Sequence, residues 1–245
     1  MSETGVTVQD RDSVRTLTLD RAEKANALSA AMSEAIREGV LSAPVAGVRA
    51  IVLRGAGRHF CAGFDFGDFE SLSDGDLALR FLQVEEMLQA VFYSPVPVLA
   101  LVHGRAVGAG ADLAAAAMRV VAAPGAQFQM PGPRFGVILG TRRLRYRVGG
   151  VKARQIQIEN RPVLSDEALA IGLVDVLEPQ ETWDAVAASF GADYTGLSAA
   201  TVAALAGVTT DDTRDADMAA LARSVAAPGL KARIAAFRAA GAKPR

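Results

Sequence analysis

Short apolar, β-branched runs alternate with longer helical patterns along most of the chain. The runs at residues 6–9 and 14–19 flank a polar turn at 10–13, which predicts a β-hairpin. Further strands are predicted at four apolar runs: 50–53, 98–102, 118–122 and 127–129. Each of the strands at 50–53 and 98–102 leads into a glycine-rich turn, so the pattern predicts loops that approach one another closely.

Helical patterns occupy the segments between these strands and predominate in the last part of the chain. Leu28, Met32, Ile36 and Val40 recur every four residues and predict an amphipathic helix. A long helix is predicted at 74–93, where Ser94 and Pro95 end it. After about residue 181 the patterns are all helical, at 182–190, 198–206, 215–227 and 229–240. We therefore predict an α/β core over residues 1–187, in which strand, turn and helix recur as a coil, and a helical region over 188–245.

Composition and charge narrow the class of protein. The 245 residues are 51% hydrophobic and 22% charged, which is typical of a globular protein with a sizeable core. A net charge of -1 leaves no basic footprint for nucleic acid, although the arginines between 142 and 147 could meet a small anion. The chain shows neither a signal-peptide pattern nor an apolar run of membrane-spanning length, so we expect a cytoplasmic protein with no membrane partner.

The chain contains few cysteines and histidines, two of the residue types that bind metals. Cys61 is the single cysteine, and His59 and His103 are the two histidines. An internal disulfide is impossible, and a cysteine- or histidine-rich metal site is not expected. Cys61 and both histidines lie in or beside the glycine turns, where a structural role is the simpler interpretation.

The turn at residues 104–112 admits three interpretations. Gly104, Gly108 and Gly110 lie between an apolar strand and an alanine-rich helix, with Asp112 just inside the helix. A dinucleotide fingerprint would need a third glycine where Leu113 stands. The turn could be purely structural, or its free N–H groups at a helix N-terminus could hold a ligand oxygen.

A second glycine turn, at residues 54–66, favours the ligand interpretation. It contains the apolar residues Phe60, Cys61, Ala62 and Phe64, which are unusual in a loop and imply burial. A third irregular loop follows at 130–136 and contains Pro131, Gly132 and Pro133.

Together these segments resemble the motifs of the enoyl-CoA hydratase/isomerase family, the crotonase superfamily. The similar segments are 19–28, 60–65, 104–112, and Ala168 with 172–174, in the family's order. The resemblance implies a crotonase-type ββα spiral with a C-terminal helical trimerisation region. It also implies a homotrimer or a dimer of trimers, a coenzyme A thioester as substrate, and no metal or permanently bound cofactor.

The resemblance also implies a set of site residues. The thioester oxygen would be held by the backbone N–H groups of Phe64 and Ala109, which form an oxyanion hole. The contacts to coenzyme A would be made, mostly by backbone atoms, at Lys24, Ala25, Ala27, Ala62, Asp65 and Phe66.

The chain departs from the family at the acids. Hydration in this family uses two carboxylates that share a water, and Asp112 matches the first of them. Gly132 stands where the second is expected, so conventional hydration is doubtful. Three hypotheses remain: Asp112 works alone on an enolate, another group such as Glu85, Tyr93 or Tyr146 replaces the missing acid, or the protein binds acyl-CoA without turnover.

Overall fold

The computed structural model describes residues 3–241 and contains two sheets surrounded by helices. Nine strands and ten α-helices lie within that range. The strands are β1 Val6–Arg11, β2 Val14–Leu19, β3 Ala50–Gly55, β4 Val98–Val102, β5 Arg105–Val107, β6 Arg119–Ala122, β7 Gln127–Gln129, β8 Val163–Leu164 and β9 Val176–Leu177. The helices are α1 Ala30–Leu41, α2 Asp74–Phe92, α3 Ala109–Ala116, α4 Thr141–Val148, α5 Gly150–Glu159, α6 Ser165–Ala170, α7 Trp183–Ala192, α8 Ala199–Thr209, α9 Arg214–Ala226 and α10 Leu230–Gly241.

The larger sheet has six strands in the order β1-β2-β3-β4-β6-β9. The β1–β2 hairpin is antiparallel, as predicted, and every other neighbouring pair in this sheet is parallel. A smaller sheet has the order β5-β7-β8 and begins where Gly104 turns the chain out of β4. Strand, second-layer strand and helix therefore follow one another, which gives the predicted ββα spiral.

The loop after β3 joins the second layer by single bridges. Cys61 pairs with Ala106 of β5, and Phe64 pairs with Leu28, both in parallel orientation. Leu28 therefore lies before α1 and outside it, because Ser29 caps the helix by accepting the Met32 N–H. These bridges bring the segments around residues 28, 61 and 106 into one layer.

Helices cover both faces of the larger sheet. One face packs on α1, α2 and α3 in the main core, and the other packs on Trp183 and Phe190 of α7. The predicted boundary at residue 187 falls inside α7, and we keep the division into a core and a helical region as a proposal. Two later helices, α9 and α10, return to pack against α2.

Several short elements escaped prediction. The segment 141–148, for which no element was predicted, forms α4. The strands β5, β8 and β9 have only two or three residues, too few to display a period. Residues 132–135 form a turn of 3₁₀ helix within the predicted irregular loop. Among residues 3–241, no helix combines the length and apolar character that crossing a membrane requires.

Candidate active site

The two predicted glycine turns lie directly against each other. Gly63 has a φ of +87°, and a Cβ there would collide with the Val107 carbonyl oxygen and lie 3.3 Å from the Ala109 nitrogen. At Gly110, a Cβ would collide with the Cys61 carbonyl oxygen. Only glycine allows this approach, because any side chain would separate the two backbones. The close packing brings the Phe64 and Ala109 peptides into the same small region.

Both of these peptides have N–H groups that the fold leaves free. Their neighbours are bonded: Asp65 N–H donates to Leu28 O at 3.0 Å, and Gly108 N–H donates to Gln129 O at 2.8 Å. Within residues 3–241, neither the Phe64 nor the Ala109 N–H donates a hydrogen bond. Ala109 is also the first residue of α3, where the partial positive charge of the helix lies. The pair is thus available to an oxygen that carries negative charge.

These residues border a cavity of about 280 Å³ with an aromatic and aliphatic wall. Its apolar lining includes Phe64, Phe66, Phe81, Phe135, Leu139 and Phe237. Ala62 and Arg105 also line the cavity and are exposed, so they mark its opening. Asp112 and Gln157 are the buried polar side chains in the wall. A larger cavity of about 440 Å³ lies between the end of α2 and α8. Tyr146 lines it, but none of the residues predicted for the oxyanion hole, the Asp112 acid or the coenzyme A contacts does.

The Asp112 carboxyl group forms no hydrogen bond within residues 3–241. Its side chain is buried, and Oδ1 has no partner among the described residues. Gly140, with a φ of +63°, packs against it so closely that a Cβ on Gly140 would collide with the carboxyl group. Burial raises the pKa of Asp112 well above its usual value, the Glu85 charge raises it further, and Arg143 opposes both effects. The surroundings of this carboxyl group therefore shift its equilibrium towards the neutral form.

Glu85 lies behind Asp112 and is fully engaged. The Arg143 guanidinium donates to both of its carboxylate oxygens, at 2.9 and 2.6 Å, and both side chains are 1% exposed. Tyr93 bonds to Thr213 through its hydroxyl group, and the Tyr146 side chain is exposed. None of the three candidates for a second acid lines the cavity, whereas Gly132 does.

Of the six predicted coenzyme A contacts, Ala62 and Phe66 line the cavity, whereas Lys24, Ala25, Ala27 and Asp65 do not. Lys24 and Ala62 are exposed, whereas Ala25, Ala27 and Phe66 are partly buried. Ala25 has a left-handed φ of 50°, and its carbonyl oxygen accepts the Ala62 N–H at 2.9 Å. The structure thus joins the first two motifs through backbone atoms.

Asp65, the sixth predicted contact, has its carboxylate paired within the chain. Arg21 Nη1 donates to it at 2.8 Å. Burial alone would raise the pKa of Asp65, but hydrogen bonds from Arg21 and the Gly67 N–H hold it below its usual value. The Asp65 side chain therefore links its own loop to the loop that contains Arg21.

Other polar residues near the site serve the fold. Cys61 is buried, and burial raises the pKa of its thiol to about 12. His103 is buried beside Gly57, and burial lowers the pKa of its imidazole. Arg142, Arg143 and Arg147 pair with acids of this chain, so these three guanidiniums are not free for a small anion. Among residues 3–241, no group of three or more His, Cys, Asp or Glu side chains is arranged to hold a metal ion.

Four residues of this site lay outside the sequence prediction. Phe237 and Gln157 reach the cavity from α10 and α5, and nothing in their local pattern indicates that contact. Nothing in the sequence distinguishes Gly140 from the other glycines of the chain. Asn26 did carry a signal, since asparagine tolerates left-handed backbone and its side chain readily hydrogen-bonds to nearby backbone groups. It has a φ of 55°, is buried, and its amide donates to the carbonyl oxygens of residues 56, 59 and 60.

Comparison with known proteins gives a consistent result. Residues 9–226 match the family model described as enoyl-CoA hydratase/isomerase. A crystal structure from Bordetella parapertussis, provisionally named an enoyl-CoA hydratase/isomerase, is 47% identical, covers 98% of this chain and 99% of its own, and superposes with a TM-score of 0.94.

Two curated relatives bear similar names. The "Probable enoyl-CoA hydratase" of Rhodobacter capsulatus is 39% identical over 69% of this chain and 64% of its own length. The "Probable enoyl-CoA hydratase echA6" of Mycobacterium leprae is 33% identical over 78% of this chain and 76% of its own. The match to the first relative thus spans slightly less than two thirds of that protein.

Proposed function

This chain belongs to the enoyl-CoA hydratase/isomerase family, and from that premise we propose that it binds an acyl-CoA thioester and stabilises the thioester enolate. The observation that carries the proposal is the pair of free N–H groups on Phe64 and Ala109 at the edge of an apolar cavity. An enolate oxygen needs preorganised donors in a site from which water is excluded. Coenzyme A takes part as a portion of the substrate.

The cavity supports an apolar acyl group of limited length. Its wall is aromatic and aliphatic, and the Phe237 ring from α10 lies tilted against the Phe135 ring, with centroids 5.1 Å apart. We propose that the acyl chain enters past Ala62 and ends near Phe237. Lys24, Ala25, Ala27, Asp65 and Phe66 would then surround the coenzyme A portion.

Asp112 is the catalytic acid of this proposal. It is the titratable side chain in the cavity wall that matches a family acid, and Gly132 brings no second one. Water addition needs one group to activate the water and another to handle the α proton. We therefore propose enolate chemistry at Cα with Asp112 alone, and slow hydration of enoyl-CoA.

An alternative is a homologue that binds acyl-CoA without turnover. Thermal unfolding with acyl-CoA esters of increasing length tests binding, because a ligand at 100 times its Kd stabilises the folded state by about 2.7 kcal/mol. For a chain of this size that corresponds to roughly 5–10 °C. Exchange of the α protons with D₂O, followed by NMR, tests chemistry. Stabilisation without exchange in the wild type would favour the binding protein, and no stabilisation by any ester would refute both.

We also propose that the chain forms a homotrimer or a dimer of trimers through its helical region. Apolar side chains on α8 support this, since Leu205 is 50% and Val208 83% exposed. Light scattering coupled to gel filtration tests it. A monomer at micromolar concentration would contradict the assignment.

A further inference from the structure

Ionisable groups from three helices lie behind Asp112, and most are paired. Glu85 of α2 accepts two hydrogen bonds from Arg143 of α4. Asp217 of α9 accepts one from Arg142 at 2.9 Å and one from the Thr213 hydroxyl group at 2.7 Å. Arg143 also approaches Asp217 at 3.9 Å. In both acids, the negative charge is matched by a guanidinium.

Asp112 forms no ion pair within this cluster, although the Arg143 charge acts on it and Arg143 Nε has no hydrogen-bonding partner among the described residues. Asp112 faces Arg143 and Glu85, but both guanidiniums of the cluster are bonded to the other acids, so three carboxyl groups share two cations. Its neighbour across the cavity, Gln157, is uncharged. Burying an unpaired carboxylate in an apolar interior is unfavourable, and the positive N-terminus of α3 offsets only a small part of that cost. The balance favours the neutral acid.

We infer that Asp112 holds a proton in the resting protein and delivers it to Cα of the bound enolate, and that the closed Glu85–Arg143 pair maintains this state. In the step, the Asp112 O–H bond breaks, and the electron pair of the enolate C=C bond forms the new C–H bond. The enolate oxygen returns to a carbonyl group at the Phe64 and Ala109 N–H groups. Asp112 remains as a carboxylate and is reprotonated from water after product leaves. In reverse, the carboxylate removes the α proton.

The electrostatic environment agrees with this assignment. Burial raises the pKa of Asp112 well above its usual value, Glu85 adds to the effect, and Arg143 only partly offsets it. The delivery step rests on the proposed function, because it needs a bound thioester. The protonation state does not, so the two can fail separately.

Infrared difference spectroscopy of the protein without substrate tests the protonation state. At pH 7 the wild type should show the carbonyl stretching band of a protonated carboxylic acid that Asp112→Asn lacks. Absence of that difference would overturn the inference. If the band is present but no thioester binds or exchanges, the proposed function fails while the protonation state stands.

The pH dependence of stability provides a second test of the protonation state of Asp112. The folded pKa of Asp112 lies above its unfolded value, so its contribution to stability is largest below the unfolded pKa and falls as pH rises through the folded pKa. The melting temperature of the wild type relative to Asp112→Asn should therefore decrease as pH is raised from about 4. A difference that increases with pH would contradict the inference.

Glu85→Gln tests the role of the ion pair. The substitution removes the carboxylate that pairs with Arg143 and leaves Asp217, at 3.9 Å, as its remaining ion-pair partner. More of the Arg143 charge then acts on Asp112, so the midpoint of the pH profile for α-proton exchange should fall by about one to three pH units. The infrared band should weaken at pH 7 in the same variant. Glu86→Gln, on the exposed side of α2, is the matched control and should leave both unchanged. If Glu85→Gln loses stability but keeps the wild-type midpoint for α-proton exchange and the wild-type infrared band, the Glu85–Arg143 pair serves only the structure and the inference about its role fails.

Discussion

Replacing Ala109 with proline removes one proposed oxyanion donor at little cost to the fold. Ala109 is the first residue of α3, and its N–H donates no hydrogen bond within residues 3–241. Proline favours the first position of a helix, because its fixed φ suits the helix and the missing N–H is not needed there. We therefore expect the melting temperature of Ala109→Pro to stay within about 2 °C of the wild type.

The effect on catalysis should be much larger. Removing one oxyanion donor typically lowers kcat by about 100- to 1,000-fold, which corresponds to about 2.7–4 kcal/mol. The Phe64 N–H remains and accounts for residual activity. Ala109→Gly keeps the N–H and adds no bulk, so it serves as the control and should retain activity within about tenfold.

The assay is α-proton exchange of a saturated acyl-CoA in D₂O, with the melting temperature of each variant measured in parallel. The loss should appear in kcat, because the donor acts on charge that develops during the reaction. The thermal stabilisation by free coenzyme A should be unchanged, which shows that the nucleotide contacts persist. If Ala109→Pro folds and exchanges at the wild-type rate, the oxyanion assignment is refuted.

Three further predictions concern the wall of the cavity and the buried groups. Phe237→Ala should shift the preferred acyl chain to greater length, by about fourfold in kcat/KM for each methylene that becomes buried, since each contributes about 0.8 kcal/mol; an unchanged chain-length profile in a series of acyl-CoA esters would contradict this. Arg143→Met should lower the free energy of unfolding by about 3–5 kcal/mol, because it leaves Glu85 buried and unpaired, and the Arg143→Met/Glu85→Met double variant should recover much of the loss in urea titrations; equal stability of the single and double variants would refute the coupling. Cys61 should resist alkylation at pH 8 in the folded protein, since burial raises the pKa of its thiol to about 12, and should react once the protein is unfolded in urea; rapid labelling of the native protein would contradict its burial.

The long elements were predictable because their burial creates a period in the sequence. The strands Val14–Leu19 and Val98–Val102 were predicted with the bounds that the structure shows, and α2 ends at Phe92, one residue before the prediction. Helix α4 was missed because Arg143 lies in its buried face, where an arginine is rare unless it is paired. Its partner, Glu85, is 58 residues away in the chain, and no local pattern connects them.

The candidate site likewise contains features that the sequence reveals and features that only the three-dimensional structure reveals. The turns that carry Phe64 and Ala109 were visible from their glycines, because a close backbone approach restricts the residue type. Asp112 was visible from its position after the third glycine. The raised pKa of its carboxyl group was not visible, since it depends on burial and on how Arg143 and Glu85 approach Asp112 in three dimensions. Phe237 closes the cavity from a distant helix, and its role follows from the path of α10 alone.

The most direct test of the account compares two reactions of the wild type and Asp112→Asn. One is α-proton exchange of butyryl-CoA in D₂O, and the other is hydration of crotonyl-CoA. We predict that the wild type catalyses exchange, that Asp112→Asn does not, and that hydration by the wild type is slow because Gly132 supplies no second acid. Hydration at the rate of an ordinary family hydratase, or exchange that survives Asp112→Asn, would contradict the central claim that Asp112 is the sole acid of an enolate-stabilising site.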